Sequence, residues 1–211
     1  MEFAALAAEL GVLLDASQCE RLERFADLLL RWNRVHNLTA IERPDDIVTH
    51  HLLDSLAVAP TLATLAEGRA LRVLDVGAGG GLPGIPLAIA LPGLQFTLLD
   101  KVGKKVAFLM QVKLELGLPN VEAVHARVED CEAPPFDVIL SRAFSSLTEF
   151  VRLTRALIAP AGCWCAMKGA LPREEIQSLE QAGLGVHVAR TVRLQVPRLL
   201  AERHLLLIEP S

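Results

Sequence analysis

The chain contains no tyrosine, and aromatic residues make up only 4% of its 211 residues. Its core must therefore be built from aliphatic side chains, and few rings are available for stacking on single-stranded bases. Hydrophobic residues make up 52% and charged residues 22% of the chain, which excludes a disordered or low-complexity protein. This length fits one large domain, or a core domain with a small extension.

An excess of basic residues is also missing. The chain has 21 basic and 25 acidic residues, a net charge of −4, which argues against a general nucleic-acid binder. The charge is uneven, however: residues 1–70 carry −5, residues 71–140 carry −2 and residues 141–211 carry +3. Because the C-terminal third is positive, the net charge alone does not exclude a nucleic-acid partner, and any binding to free RNA should be weak and sensitive to salt.

Long apolar segments and targeting patterns are missing too. The uncharged stretch from Leu82 to Leu94 is interrupted by three prolines and is too short to span a bilayer. No positively charged segment precedes the apolar start, as a signal peptide would require. The four cysteines form no C-x-x-C pair and have no histidines at zinc spacing; they are Cys19, Cys131, Cys163 and Cys165. We therefore expect a cytoplasmic protein with reduced thiols and no metal.

The first 66 residues show helical periodicity. Apolar residues recur at helical spacing at Leu22, Phe25, Leu29 and Trp32. Ser17 and Glu20 match the S-x-x-E pattern of a capping box at the start of this helix. Pro44, followed by two aspartates, predicts the start of a second helix. We expect residues 1–66 to form a helical extension packed on a core domain of residues 67–211.

From Leu71 onward, short apolar runs alternate with helical stretches. The runs are LRVLDVG, QFTLLD, VEAVHA, FDVILS and CWCAMK. This alternation predicts a parallel sheet with helices on both faces. The last two runs, HVARTVRLQV and RHLLLIE, leave no room for a crossover helix and should pair as an antiparallel hairpin. The predicted fold is therefore α/β: a doubly wound, mostly parallel Rossmann-like sheet with a C-terminal antiparallel hairpin.

The strongest functional signal is the segment LDVGAGGGLPG, between a predicted strand and a predicted helix. Gly77, Gly79 and Gly81 permit a tight turn and close approach of a ligand at the carboxyl edge of the sheet. Their G-x-G-x-G spacing differs from the G-x-G-x-x-G of dinucleotide sites, because Leu82 stands three residues after Gly79. An NAD-dependent oxidoreductase is therefore disfavoured. Asp75, two residues before the first glycine, suits a positively charged ligand better than a pyrophosphate.

A second acid ends the next predicted strand. Asp100, 19 residues after Gly81, can accept both hydrogen bonds of a ribose diol. NAD and S-adenosylmethionine both carry such a ribose, so Asp100 alone does not distinguish them. Together with Asp75 and the glycine spacing, it favours S-adenosylmethionine.

Seven ordered blocks between Arg31 and Glu209 carry a more specific resemblance. They are RWNRVHNLTAI, HHLLDSL, DVGAGGGLPGIPLAI, FTLLDKVGKKVAFL, PPFDVILSRAF, MKG and ERHLLLIE. Together they resemble the RsmG (GidB) family of bacterial small-subunit ribosomal RNA guanine-N7 methyltransferases. The resemblance implies a Rossmann-like methyltransferase fold, S-adenosylmethionine as cofactor and S-adenosylhomocysteine as product. It implies a guanine of 16S ribosomal RNA as substrate, which we expect within a small-subunit particle, with no membrane partner and a monomeric enzyme.

The resemblance also assigns site residues. Asp100 would hold the ribose, while Val128 and Glu129 would flank the adenine. The expected cofactor contacts are Asp75, Gly77, Gly79, Gly81, Leu82, Asp100, Val128, Glu129 and Arg142. Two of these have simpler explanations, since Val128 suits a core position and Glu129 with Asp130 suits a solvated surface.

Arg142 and Lys168 are the expected catalytic residues, positioning the nucleotide. Arg142 follows the fourth predicted strand, where an arginine beside apolar residues needs a partner. Lys168 ends the next strand, where it could equally extend its ammonium group to solvent. Arg203 could contact phosphate or form a surface ion pair with Glu202 or Glu209.

The N-terminal blocks contribute Asn37, His51 and Asp54, which we expect to support the cofactor site without taking part in chemistry. Asn37 also suits a turn, and Asp54 could instead satisfy backbone groups or a histidine. Two other functions stay open from the sequence: a methyltransferase of the same fold acting on a small molecule or protein, and a non-enzymatic module that binds the cofactor or the ribosome.

Overall fold

A seven-stranded sheet forms the centre of the molecule in the computed structural model, which describes residues 2–142, 144 and 146–211. Its strands are β1 (Arg72–Val76), β2 (Gln95–Asp100), β3 (Val121–His125), β4 (Phe136–Ser141), β5 (Ile158–Lys168), β6 (Val186–Arg193) and β7 (His204–Pro210). The spatial order is β3-β2-β1-β4-β5-β7-β6. Strands β1 to β5 pair in parallel, and β7 pairs antiparallel with both β5 and β6. The predicted doubly wound sheet with a terminal antiparallel hairpin is confirmed.

Nine α-helices accompany the strands in the described residues. They are α1 (Glu2–Glu9), α2 (Ala16–His36), α3 (Pro44–Ile47), α4 (Asp54–Leu56), α5 (Ala59–Ala66), α6 (Gly84–Ala90), α7 (Gly103–Leu116), α8 (Leu147–Thr154) and α9 (Arg173–Gln181). The helix start predicted at Pro44 is confirmed. A π-helical segment, Val48–Leu53, joins α3 to α4, and 3₁₀ turns cover Val128–Asp130 and Arg155–Leu157. None of these described helices has the length and apolar character needed to cross a membrane.

Alternating strand residues pack against helices on the two faces of the sheet, because successive side chains of a strand point to opposite faces. Val73 and Val138 belong to the core formed with helices α1 to α7, whereas Leu74 and Ile139 belong to the core formed with α8 and α9. The cysteines at 163 and 165 are buried free thiols on the first of these faces. The division into a 1–66 extension and a 67–211 domain stays a prediction.

The capping box of α2 lies two residues before its predicted position. The Asp15 carboxylate accepts a hydrogen bond from the Gln18 amide at 2.7 Å, and the Gln18 side chain accepts one from the Asp15 amide at 2.9 Å. The predicted box at Ser17 and Glu20 is wrong. The Gln18 side-chain nitrogen also donates to the Ile89 carbonyl of α6 at 2.9 Å, a long-range contact that favours the box at Asp15.

Replacing the cap separates these two assignments experimentally. Asp15→Ala removes the N-cap acceptor and should lower the free energy of unfolding by about 1 kcal/mol. The matched control, Ser17→Ala, changes an exposed residue in the same turn and should stay within about 0.5 kcal/mol of wild type. Urea denaturation of the three proteins measures both values, and a larger loss for Ser17→Ala would contradict the observed cap.

Candidate functional site

The loop after β1 turns through three glycines with left-handed backbone angles. The φ angles are 73° at Gly77, 58° at Gly79 and 79° at Gly81, a region that other residues rarely adopt. At Gly81 an added Cβ would also lie 2.6 Å from the Cγ1 atom of Ile85. The glycine pattern is therefore required by backbone geometry and by packing at this edge of the sheet.

Two carboxylates fix the path of this loop. The Oδ2 atom of Asp75 accepts a hydrogen bond from the Gly84 amide at 2.9 Å. Asp100 accepts one from the Gly79 amide at 2.9 Å and, through its other oxygen, one from the Val102 amide at 2.9 Å. The Lys105 ammonium lies 3.8 Å from Asp100 Oδ2. The acids at the ends of β1 and β2 thus hold the loop from both sides.

A cavity of about 440 Å³ opens at the carboxyl ends of β1 and β2. Four of the predicted cofactor contacts line it together: Gly77, Asp100, Val128 and Glu129. We call it the glycine-loop cavity. Its volume is typical of sites that enclose small molecules. The sequence therefore located a concave site with a carboxylate at its edge, formed by four segments of the chain.

The other predicted cofactor contacts lie elsewhere. Asp75, Gly79, Gly81 and Leu82 are not among the described residues that line the glycine-loop cavity. Asp75 and Leu82 are buried, so these residues shape the loop from beneath it. Two further lysines that line the cavity were not predicted: Lys101 follows β2 directly, and Lys105 lies in the first turn of α7.

A second cavity, of about 420 Å³, lies beside the first, and Phe144 lines both. We call it the arginine cavity, because Arg142 and Arg203 line it together with Asp54 and Lys168. The two expected catalytic residues, Arg142 and Lys168, therefore face one space. Arg142, which was also expected to contact the cofactor, is not among the described residues of the glycine-loop cavity.

The Asp54 carboxylate binds both arginines. Its Oδ1 atom accepts a hydrogen bond from Arg203 Nε at 2.9 Å, and its Oδ2 atom accepts one from Arg142 Nη1 at 3.3 Å. The alternative interpretation, in which Asp54 satisfies backbone groups or a histidine, is wrong for the described residues, because both of its oxygens accept from arginines. The alternative pairing of Arg203 with an acidic side chain at 202 or 209 is also wrong, because among the described residues Arg203 binds the Asp54 carboxylate and, of Glu202, only the backbone carbonyl.

Lys168 is held by two acceptors instead of extending into solvent. Its ammonium donates to the Phe144 carbonyl at 2.9 Å and to Glu175 Oε2 at 2.7 Å. The same Glu175 oxygen accepts a hydrogen bond from the Leu147 amide at 3.1 Å. Lys168 thus joins the Phe144 carbonyl to α9, next to the wall shared by the two cavities.

His51 is a buried, neutral member of the arginine cavity. Its Nδ1 donates to the His50 carbonyl at 2.9 Å, and its Nε2 accepts from the Thr39 hydroxyl at 2.7 Å. Burial, and then the positive charge of Arg142, lower the pKa of His51 to about 4. Asn37, as the turn interpretation requires, ends α2 in a left-handed conformation. Among the described residues, no cluster of histidine, cysteine and acidic side chains could hold a metal ion.

Comparison with known proteins identifies the family. The model of the family described as rRNA small subunit methyltransferase G matches residues 18–206. Ribosomal RNA small subunit methyltransferase G of Chromobacterium violaceum is 52% identical, over 94% of this chain and 91% of its own. The protein of the same name from Ralstonia nicotianae is 50% identical, over 100% of this chain and 95% of its own. The chain belongs to the rRNA small subunit methyltransferase G family.

Solved structures agree on the fold of this family member. A SAM-dependent methyltransferase from Aquifex aeolicus superposes with a TM-score of 0.58 at 18% identity, covering 79% of this chain and 93% of its own. TrmN from Thermus thermophilus superposes with a TM-score of 0.53 at 19% identity, covering 78% and 53% respectively. The residues matched by the rRNA small subunit methyltransferase G model include both cavities and Asp54.

The buried acid of β1 makes stability depend on pH. Burial raises the pKa of Asp75 from 3.8 to about 7, against the opposing effect of the hydrogen bond from the Gly84 amide. Between these two values the unfolded chain is ionised and the folded protein is protonated, so stability falls as pH rises from about 4 to about 7. Above about pH 7 Asp75 is ionised in both the folded and the unfolded state, so the loss of stability stays constant.

Comparing Asp75→Asn with wild type isolates this effect. The difference in free energy of unfolding should move in favour of the variant by up to about 1.4 kcal/mol per pH unit between pH 5 and 7. Urea denaturation at several pH values measures it, and the other titrating groups cancel in the difference. A difference that stays constant with pH would show that Asp75 titrates normally.

Proposed function

We propose that this protein transfers a methyl group from S-adenosylmethionine to N7 of a guanine in 16S ribosomal RNA. The observation that carries the proposal is that two cavities meet at Phe144. One is lined by Asp100, the carboxylate expected to bind a ribose, and the other by Arg142 and Arg203. The identity to named relatives over nearly the whole chain supports this substrate. We also propose that the enzyme acts as a cytoplasmic monomer on a small-subunit particle.

The glycine-loop cavity fits S-adenosylmethionine. Asp100 lines it, and each of its carboxylate oxygens, which accepts one amide hydrogen bond, has a further lone pair for a ribose hydroxyl. Val128, Glu129 and Gly77 also line the cavity, which supports the proposal that the first two flank the adenine and that the glycine leaves room for close approach. When bound, the cofactor supplies an electrophilic methyl group. The residues of this cavity bind and orient the cofactor.

The arginine cavity suits a nucleophile that needs no deprotonation. His51 has both ring nitrogens engaged and a low pKa, and both carboxylate oxygens of Asp54 are occupied by arginines. Neither His51 nor Asp54 is therefore free to act as a base. Guanine N7 carries an available lone pair, so alignment with the methyl group and electrostatic stabilisation can provide the catalysis.

Arg142 and Arg203 supply hydrogen-bond donors for the nucleotide. Guanidinium groups bind phosphate oxygens and carbonyl oxygens such as guanine O6. An arginine that bridged O6 and N7 would occupy the nucleophile, so that pose is excluded during transfer. We therefore assign these arginines to the phosphate or to O6 alone.

Cofactor binding is tested at the ribose carboxylate. Asp100→Ala should weaken S-adenosylhomocysteine binding at least about tenfold, because it removes charge-assisted hydrogen bonds to the ligand. Asp130→Ala is the matched control: it removes an exposed carboxylate beside the same cavity and should change affinity less than about twofold. Isothermal titration calorimetry measures both, with thermal unfolding as the check on folding. Equal affinities for the two variants would contradict the assignment.

Methyl transfer is tested on small ribosomal subunits from a strain that lacks the endogenous enzyme. With labelled S-adenosylmethionine, the label should enter 16S rRNA, and chain cleavage at 7-methylguanine followed by primer extension should map one site. Arg142→Ala should lower the rate at least about a hundredfold while S-adenosylhomocysteine affinity stays within about twofold. Arg69→Ala, an exposed arginine before β1, should retain activity.

The same assay separates the competing functions. Label that enters only small molecules or proteins would overturn the rRNA assignment. Absence of any transfer together with tight cofactor binding would instead indicate a binding module. Full activity of Arg142→Ala would remove the arginine cavity from the mechanism.

A further inference from the structure

We propose that Asp54 is a positioning residue for methyl transfer, a carboxylate from the N-terminal helices that aims Arg142 and Arg203 into the arginine cavity. The inference rests on the proposed function of that cavity. It makes the N-terminal helices part of the substrate site, although the expected catalytic residues, Arg142 and Lys168, lie at the ends of sheet strands.

Asp54 joins three segments that are far apart in the chain. It begins α4, whereas Arg142 follows β4 and Arg203 precedes β7. The hydrogen bonds span 88 and 149 residues, and each arginine takes a different carboxylate oxygen. The side chain of Asp54 is only 2% exposed, so water does not compete for these contacts. One buried carboxylate therefore fixes the separation of the two guanidinium groups.

The electrostatics require this carboxylate. Two guanidinium groups that approach the same space repel each other, and charge-assisted hydrogen bonds to a shared anion offset the repulsion. Without the negative charge, each long arginine side chain would have several rotamers available and would separate from the other. Binding RNA would then require ordering both side chains, which costs affinity and alignment.

The arginines keep donors for a ligand. In the described structure, Arg142 uses Nη1 for Asp54 and for the His50 carbonyl, which leaves its Nε and Nη2 groups available. The side chains of Arg142 and Arg203 remain 29% and 23% exposed, and both line the cavity. An ion pair that only stabilised the fold would not require its arginines to be partly exposed in a cavity. Lys168, in contrast, is occupied by Glu175 and by the Phe144 carbonyl.

Local structure explains how the helices deliver the carboxylate. The π-helical segment Val48–Leu53 directly precedes Asp54, and such insertions change the direction of side chains and recur at functional sites. The Ser55 hydroxyl donates to the His51 carbonyl within this segment. The His50 carbonyl also accepts from Arg142 at 3.4 Å. The segment thus holds Arg142 through a backbone carbonyl as well as through Asp54.

The test compares Asp54→Asn, Asp54→Glu and wild type on small ribosomal subunits. Asp54→Asn keeps the size but removes the charge, and kcat/KM for the subunits should fall at least about tenfold while S-adenosylhomocysteine affinity stays within about twofold. Asp54→Glu keeps the charge, and its kcat/KM should exceed that of Asp54→Asn by about threefold or more. Asp45→Asn, an exposed acid in α3, is the matched control and should match wild type.

A double variant distinguishes positioning from general stabilisation. Because Asp54 also positions Arg203, Asp54→Asn should still slow Arg142→Ala, but by a smaller factor than it slows wild type, since the interaction with Arg142 is already absent. Assays run below the unfolding transition of each variant, as set by thermal melts, keep the comparison to folded protein. Multiplicative losses in the double variant would overturn the positioning role.

The remaining outcomes separate this inference from the proposed function. Transfer by wild type that Asp54→Asn retains within about twofold overturns the positioning role alone. A parallel loss of S-adenosylhomocysteine affinity in Asp54→Asn also overturns it, since the damage would then reach the glycine-loop cavity. Absence of transfer to rRNA by wild type overturns the proposed function itself.

Discussion

The hydrogen bond from the Gly84 amide to the Asp75 carboxylate determines how the loop after β1 lies on the sheet. No larger residue fits at this point, because a Cβ at Gly84 would lie 2.2 Å from Leu98 Cδ2 and 2.8 Å from Asp75 Oδ2. Helix α6 begins at Gly84, so this contact sets the direction in which the chain leaves β1. The Asp100 carboxylate then fixes the Gly79 amide from the neighbouring strand. The glycine-loop cavity exists because these buried acids hold the backbone in place.

Sheet topology places the two cavities next to each other. The chain moves outward from β1 to β3 and returns to β4 on the other side of β1, which creates a crevice at the carboxyl ends of β1 and β4. One cavity uses the β1–β2 side of this crevice, and the other uses the ends of β4 and β5. Phe144 stands between them, with its ring against Phe150 and its carbonyl held by Lys168. A methyl donor and an acceptor bound in these cavities would meet at this boundary.

Local patterns in the sequence predict the strands, the glycine loop and Asp100, because each is determined by periodicity, sterics or position after a strand. The predicted capping position of α2 was wrong because Asp15 and Ser17 are both good N-cap residues locally. A contact from Gln18 to α6 favours the cap at Asp15. The partners of Asp54 lie 88 and 149 residues away, and no spacing rule links them. Lys168 shows the same limit, since its terminal position on β5 does not reveal the pairing with Glu175. The contacts that could not be predicted from the sequence are therefore the long-range polar ones, which join distant segments of the chain at the arginine cavity.

The acidic balance of the chain is compatible with an RNA substrate because the cations at the site are few and fixed. Arg142, Arg203 and Lys168 line the arginine cavity, while Asp54 and Glu175 neutralise two of their three charges. Affinity for free RNA depends on the number of phosphates neutralised, and this site offers little net charge for that purpose. It offers instead guanidinium donors held at a set separation, which on the proposed function would suit a nucleotide whose phosphates and base are already placed. A folded ribosomal particle would present a guanine in that way and a flexible RNA strand would not, which is why we propose a small-subunit particle as the substrate. On this proposal, the Asp54 bridge would favour recognition of shape over recognition of charge.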